Sequence, residues 1–292
     1  MGDNEARIVD GSLWADFCDA LKNAGDQVLR DTTPTDVFNR AEGYRYLTRL
    51  LRLSLEKNIE FGDPRFPEFY SLSHATAKIG NDNPDNFYQN CAISGRYNYR
   101  IRGQRGSVPY LSIETKAGSY GSSGTMAPTG YIELETLDIL DDGSFEIIVS
   151  VKPQPGNWLP MIPESDNMLV RQTFQDRSTE TAAALSIECL NADGEAQLDP
   201  AGFAAQLDGV TEFINGTAGL FIDWMNVFSK HVNELPSNDQ QMCITAGGDP
   251  SIHYHNSYWK LALDEVLVID VDELPVCRNW NFQVSNYWLE SL

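Results

Sequence analysis

The hydrophobic period of this chain changes three times along its length, and those changes restrict the fold more than any single motif does. From Ser12 the apolar residues Leu13, Phe17, Leu21, Ala24 and Val28 recur at helical spacing, which predicts an amphipathic helix over residues 12–30. The TTPTD run that follows offers Thr33 as a cap, Pro34 at the first helical position and Asp36 three residues after the cap. The stripe Val37, Ala41, Tyr44, Leu47, Leu51 and Leu55 then predicts a second helix over 33–57. Two prolines in FGDPRFPEFY force a loop, with a short helix expected over 70–79.

After NDNPDN the period becomes two. FYQNCAI, RYNYRIR, PYLSIETK, GYIELETL and SFEIIVSV read as strands within residues 87–150, and 167–175 and 183–190 read as two more; Asp142-Gly143 is a hairpin turn. The helical period returns at Pro200 with Phe203, Leu207, Val210 and Phe213. Beyond Asn215-Gly216 it resumes with Leu220, Trp224, Val227 and His231, which predicts two consecutive helices broken at glycine, a helical insertion at about 200–232. MCITA, YWKLAL, EVLVIDV and NWNFQVSNYW return to strands. The expected fold is mainly β with helical additions: an antiparallel, jelly-roll-like β-sandwich (81–292) carrying an N-terminal helical region (1–80). A doubly wound sheet is disfavoured because helices and strands do not alternate.

Forty-two acidic against 21 basic residues give a formal charge of -21. Such a surface repels phosphate backbones and anionic membranes, so neither nucleic acid nor a membrane is an expected partner. The five cysteines, Cys18, Cys91, Cys189, Cys243 and Cys277, stand singly, which matches neither a disulfide framework nor a zinc cluster. The opening MGDNEARIVDG has no basic and apolar leader, and a cytoplasmic location is the expectation.

The runs NPDNFYQNCAISGRYNYRIRGQRG, GNWLPMIPESDNMLVRQTFQDRSTE and DEVLVIDVDELPVCRNWNFQVSNYWLES resemble the bacterial domain-of-unknown-function family 1214 over residues 40–292. The resemblance implies a jelly-roll-like β core and no particular reaction. Members of that family continue past the tryptophan-rich segment, whereas this sequence ends at Leu292, which leads one to expect an open sheet edge where further strands would pair.

Candidate chemistry is sparse. His253 and His255 would project from one face of a strand at metal-ligand spacing, but no third histidine or well-placed acid supports them, and no metal or cofactor is expected. The glycine-rich segment 118–130 lacks the Gly-Lys-Ser/Thr ending of a phosphate loop and reads as a hairpin loop able to lie over a ligand. In RQTFQDRSTE, Arg171 stands on the face opposite Val170 and Gln172, with Asp176, Arg177 and Glu180 at the following turn. Two carboxylates beside two arginines suit acid–base chemistry by Asp176 and Glu180 and an anion clamp by Arg171 and Arg177, with Arg171 and Glu180 close enough to interact at a pocket; a structural ion-pair network is the competing reading.

A second basic feature comes from an absence. No Asp or Glu occurs between Asn86 and Ile113, while Arg96, Arg100, Arg102 and Arg105 fall close together. Alternation puts Arg100 and Arg102 on one face, where they would either pair with Glu133 and Glu135 of a neighbouring strand or bind a small anion.

Two functional classes fit these features. One is an enzyme acting on a small, partly apolar, anionic metabolite in a pocket between helices and sandwich. The other is a non-catalytic small-molecule-binding or assembly module, for which a second copy of the chain is a further candidate partner.

Overall fold

The computed structural model describes residues 2–122, 124–273 and 275–292. Two four-stranded sheets face each other, with a helical layer packed beside them. The first sheet has the order β1 (Asn86–Ala92), β7 (Asn167–Thr173), β3 (Tyr110–Ala117), β4 (Ala127–Glu133). The second has the order β6 (Trp158–Pro160), β5 (Ser144–Ser150), β2 (Tyr99–Gln104), β8 (Ala184–Cys189). Every pairing is antiparallel except β5 with β6. This is the mainly antiparallel, two-sheet fold with helical additions that the period changes predict.

Alternation explains which face of each strand is buried. Ile113 and Val170 are paired in register and, with Tyr99, Ile101, Ile147 and Leu159, fill the space between the sheets. Each such fully buried apolar side chain contributes about 1.5–3 kcal/mol relative to exposure. The opposite face of β3 carries Ser112, Glu114 and Lys116, polar residues that are nonetheless buried.

The helical layer holds α1 (Asp3–Asp10), α2 (Ser12–Ala24), α3 (Val37–Leu55) and the 29-residue α4 (Pro200–Phe228). Leu13, Phe17, Tyr46, Leu50, Leu207 and Phe213 form its core, together with Trp288 from the end of the chain. The helical core therefore draws on both of the regions that the change of hydrophobic period separates near residue 80. Among the described residues no helix is long and apolar enough to cross a membrane.

Several local expectations are corrected. Asp36, not Thr33, caps α3 by accepting from the Asn39 N–H, while the Thr33 hydroxyl donates to the Val28 and Arg30 carbonyls. Residues 70–79 form isolated bridges, Tyr70 to Asn90 and His74 to Ala77, instead of a helix. α4 runs unbroken through Gly216, because that glycine serves close approach: a Cβ there would lie 2.3 Å from the Tyr120 carbonyl oxygen.

MCITA lies in the short helix α5 (Gln240–Thr245), and EVLVIDV and NWNFQVSNYW have no ladder partner among the described residues. Alternation is necessary for a strand but insufficient without a neighbouring edge. Trp280 and Phe282 are accordingly exposed, and only Trp288 is buried, its ring against Tyr46 and its indole N–H donating to Asn39 O.

Candidate functional site

At the junction of the helical layer and the first sheet lies a cavity of about 310 Å³. Strand register brings its floor together: β1 ends at Ala92, which pairs with Asn167 at the start of β7, and Asn167 also pairs with Lys116 near the end of β3. The chain leaving β3 contributes Gly118 and Ser119, and α4 contributes Ala205 and Gln206. The remaining wall comes from a π-helical turn, Glu56–Glu60, that continues α3 and presents Lys57 and Asn58. Such wide turns inside helices are frequently found at functional sites. Tyr70 completes the lining, its ring stacked on Phe61 at 4.9 Å.

Besides the Tyr70 phenol, which burial raises, the cavity is lined by Lys57 and Asp166, whose surroundings push them in opposite directions. Burial lowers the Lys57 ammonium below the ordinary lysine range, with Asp166 partly restoring it. The Lys57 Nζ lies 5.8 Å from the centre of the Phe213 ring, and among the described residues no hydrogen bond or ion pair engages it. Burial raises the Asp166 carboxyl, against hydrogen bonds from the Asn167 side-chain amide (2.8 Å) and the Gly118 N–H (3.3 Å). A lysine amine shifted down and a carboxyl shifted up, lining one cavity, are displaced in the directions that acid–base chemistry uses.

A second polar cluster is fully enclosed on the outer face of the first sheet. Lys116 Nζ donates to Glu114 at 2.7 Å, Arg171 bonds Glu114 and the Gly247 carbonyl, and Asp249 lies 3.8 Å from Arg171. Asp249 also accepts from the hydroxyls of Tyr110, Ser112 and Ser251 at 2.8, 2.9 and 2.7 Å. Burial, aided by Arg171, lowers Lys116 to about 8. Burial alone would raise Asp249, but Arg171 and the hydrogen bonds hold it below the usual carboxylate range. Two acids and two bases thus neutralise one another, and their hydrogen bonds fasten the segment after α5 to the sheet.

The chain superposes on the crystal structure of an uncharacterized protein from Burkholderia cenocepacia with a TM-score of 0.96 and 49% sequence identity, over 99% of this chain and 80% of that one. It belongs to the same family as that protein. A Vibrio parahaemolyticus protein matches over 37% of this chain and 31% of its own at 14% identity and a TM-score of 0.28, a likeness too slight to bear on the fold. No family model and no curated protein matches the chain.

The residues singled out from sequence do not converge at the cavity. Of the RQTFQDRSTE group, Arg171 is buried in the charged cluster just described, and the expected contact with Glu180 is replaced by its bonds to Glu114 and Gly247. Glu180 instead accepts from its own turn, at the Gln175 N–H. Asp176 is exposed and accepts from Ser178, whose hydrogen bonds keep it below the usual carboxylate range. Arg177 donates to the Pro84 and Asn86 carbonyls and lies 4.6 Å over the Phe174 ring. These geometries fix a turn.

Arg100 and Arg102 do pair across strands, but with Glu146 of β5 and Glu188 of β8. Glu133 and Glu135 are taken by Arg278, since β4 ends at Glu133 and a 3-10 turn carries Glu135 away. Arg102 also borders a shallow recess of about 330 Å³ with Gln104 and Ser186. His253 and His255 lie in an exposed loop with ring centres 6.1 Å apart, and among the described residues no cluster of three or more His, Cys, Asp or Glu is arranged to hold a metal.

The glycine-rich segment joins β3 to β4, with Ser123 outside the described residues. Gly121 is pressed against Glu212 and Phe213 of α4, and Tyr120 donates to Ala246 O, so this part of the loop is packed. Sequence reasoning missed Lys57 and Asp166. The one available signal was a charge at Lys57 inside the apolar run Leu53, Leu55, Ile59.

Proposed function

We propose that this chain is a cytoplasmic protein that binds a small, partly apolar metabolite in the 310 Å³ cavity, holding an oxygen of that ligand on Lys57. The carrying observation is a cation at the cavity wall with no hydrogen-bonded or ion-paired partner among the described residues. A buried charge normally finds a partner, and a ligand oxygen supplies one. The overall charge of -21 disfavours highly charged anions, so the ligand carries at most few negative charges. The five free cysteines fit a reducing compartment. The two sheets are read as the jelly-roll-like core that the resemblance to family 1214 implies.

Between an enzyme and a passive binding module, the opposed shifts of Lys57 and Asp166 favour the enzyme. The test is a thermal-shift and calorimetric screen of small ketones, monocarboxylates and alcohols against wild type and Lys57→Met. At least one compound is expected to raise the melting temperature of wild type and to lose that effect in the variant. A ligand that stabilises both proteins equally overturns the site.

A further inference from the structure

We propose that Lys57 is a nucleophile that forms a Schiff base with a small aldehyde or ketone in the cavity between the helical layer and the first sheet. This rests on the cavity reading above and adds to it the class of compound and the bond formed. Two geometric facts carry it. Lys57 lines a space large enough for a small metabolite, and among the described residues no carboxylate or carbonyl is hydrogen-bonded to its amine. Lys116 makes the contrast: it is fully enclosed and spends its ammonium on Glu114, whereas Lys57 is half-buried.

The chemistry closes without any further reactant. The Nζ lone pair attacks the carbonyl carbon while the carbonyl oxygen takes a proton, for which the Asp166 carboxyl lining the same cavity is the available donor. The Asp166 carboxylate then removes a proton from nitrogen, completing a carbinolamine. Returning that proton to the hydroxyl releases water as the nitrogen lone pair forms the C=N bond of an iminium, and the iminium N–H then gives its proton back to the Asp166 carboxylate. Amine plus carbonyl thus give imine plus one water, and Asp166 ends as it began, with no net proton gained or lost on that carboxyl. The lowered proton affinity of Lys57 and the raised one of Asp166 lie in the directions these roles require.

The test treats the whole protein with 2-butanone or pyruvate and sodium borohydride, followed by intact-mass measurement and peptide mapping. Reduction should fix one ketone, less its oxygen atom, on the peptide containing Lys57. Burial lowers the Lys57 amine below the ordinary lysine range, so more of it is neutral than of an exposed lysine, and labelling at Lys57 should exceed the average of the other six lysines several-fold. Lys57→Arg should lose that label, and Asp166→Asn should slow its formation while leaving the other lysines unchanged. Labelling spread evenly over exposed lysines overturns the inference, and mapping wild type gives this answer even if the variants fold poorly. The same ketones are run without reductant by thermal shift. A ketone that binds in a Lys57-dependent way but is never trapped overturns the Schiff base and leaves the binding site standing; no binding and no trapping of any compound screened overturns both.

Discussion

Arg171 and Glu114 form an ion pair across neighbouring strands with neither side chain more than 7% exposed. Ser112 is the register partner of Arg171, so Glu114 reaches it diagonally on the same face of the sheet. Taking both charges out of water costs several kcal/mol each, which the pair recovers only because Lys116, Asp249, Gly247 and the surrounding hydroxyls complete the network. The network connects β3 and β7 to the segment after α5, so the sequence separation it spans is large and the fold depends on it.

Removing one member should therefore be far more damaging than removing a surface charge. Glu114→Gln leaves Arg171 and Lys116 buried with Asp249 as the remaining acid, and a loss of about 3–5 kcal/mol is expected in urea unfolding. Replacing Glu114 and Lys116 together by leucine and methionine should cost less than the single change, since one charge of each sign leaves. Equal or additive losses would show that the pair is not energetically coupled.

Lys116 gives the protein a signature in pH. Its folded value, lowered to about 8 from 10.5, means that between those two values the unfolded chain holds a proton that the folded chain has released. Stability contributed by this group therefore rises with pH across that window and is constant below it. At ~1.4 kcal/mol per unit the full rise is at most about 3.5 kcal/mol. Unfolding free energies of wild type and Lys116→Met at pH 7 and 9.5 should differ by an amount that changes with pH, the variant lacking the rise; a pH-independent difference contradicts the assignment.

The layered fold was legible because burial imposes a period: the stripe Leu13–Phe17–Leu21 and the alternation in RYNYRIR are direct consequences of one face meeting a core. Partners were not legible. Arg100 and Arg102 announce a need for acids, but only the strand order decides that Glu146 and Glu188 supply them instead of Glu133 and Glu135. The cavity pair was invisible for the same reason, since Lys57 and Asp166 are far apart in sequence and are brought to one cavity only by the tertiary fold. The apolar residues of EVLVIDV carry a strand pattern that nothing in the described structure pairs, which no local rule could have foreseen.

The Arg100 and Arg102 pairs, in contrast to the buried cluster, are half open to solvent. Their four groups are between 31% and 58% exposed, so water and salt screen them strongly. Changing both arginines to Gln should cost no more than about 1 kcal/mol, and the cost should shrink in high salt. A larger loss, insensitive to salt, would mean that their aliphatic stems, and not their charges, hold β2 to its neighbours.

Two glycines within α4 should respond to alanine with opposite signs. At Gly219 an added Cβ would meet its nearest neighbour, Gln27 Oε1, at 3.7 Å, an ordinary contact. Helix propensity then decides, and Gly219→Ala should stabilise by up to about 1 kcal/mol. At Gly216 the added atom would lie 2.3 Å from the Tyr120 carbonyl oxygen and 2.6 Å from the Gly121 Cα, backbone atoms that cannot rotate away. Relief requires separating the helix from the chain that leaves β3, and a net loss of about 1–3 kcal/mol is expected despite the same propensity gain. That chain also carries Gly118 and Ser119 of the cavity wall, so Gly216→Ala should weaken any ligand found for the cavity, whereas Gly219→Ala should leave its affinity unchanged. Melting curves of both variants with and without that ligand separate the two effects; a stabilised Gly216→Ala would mean that α4 does not seat against Tyr120 as closely as described.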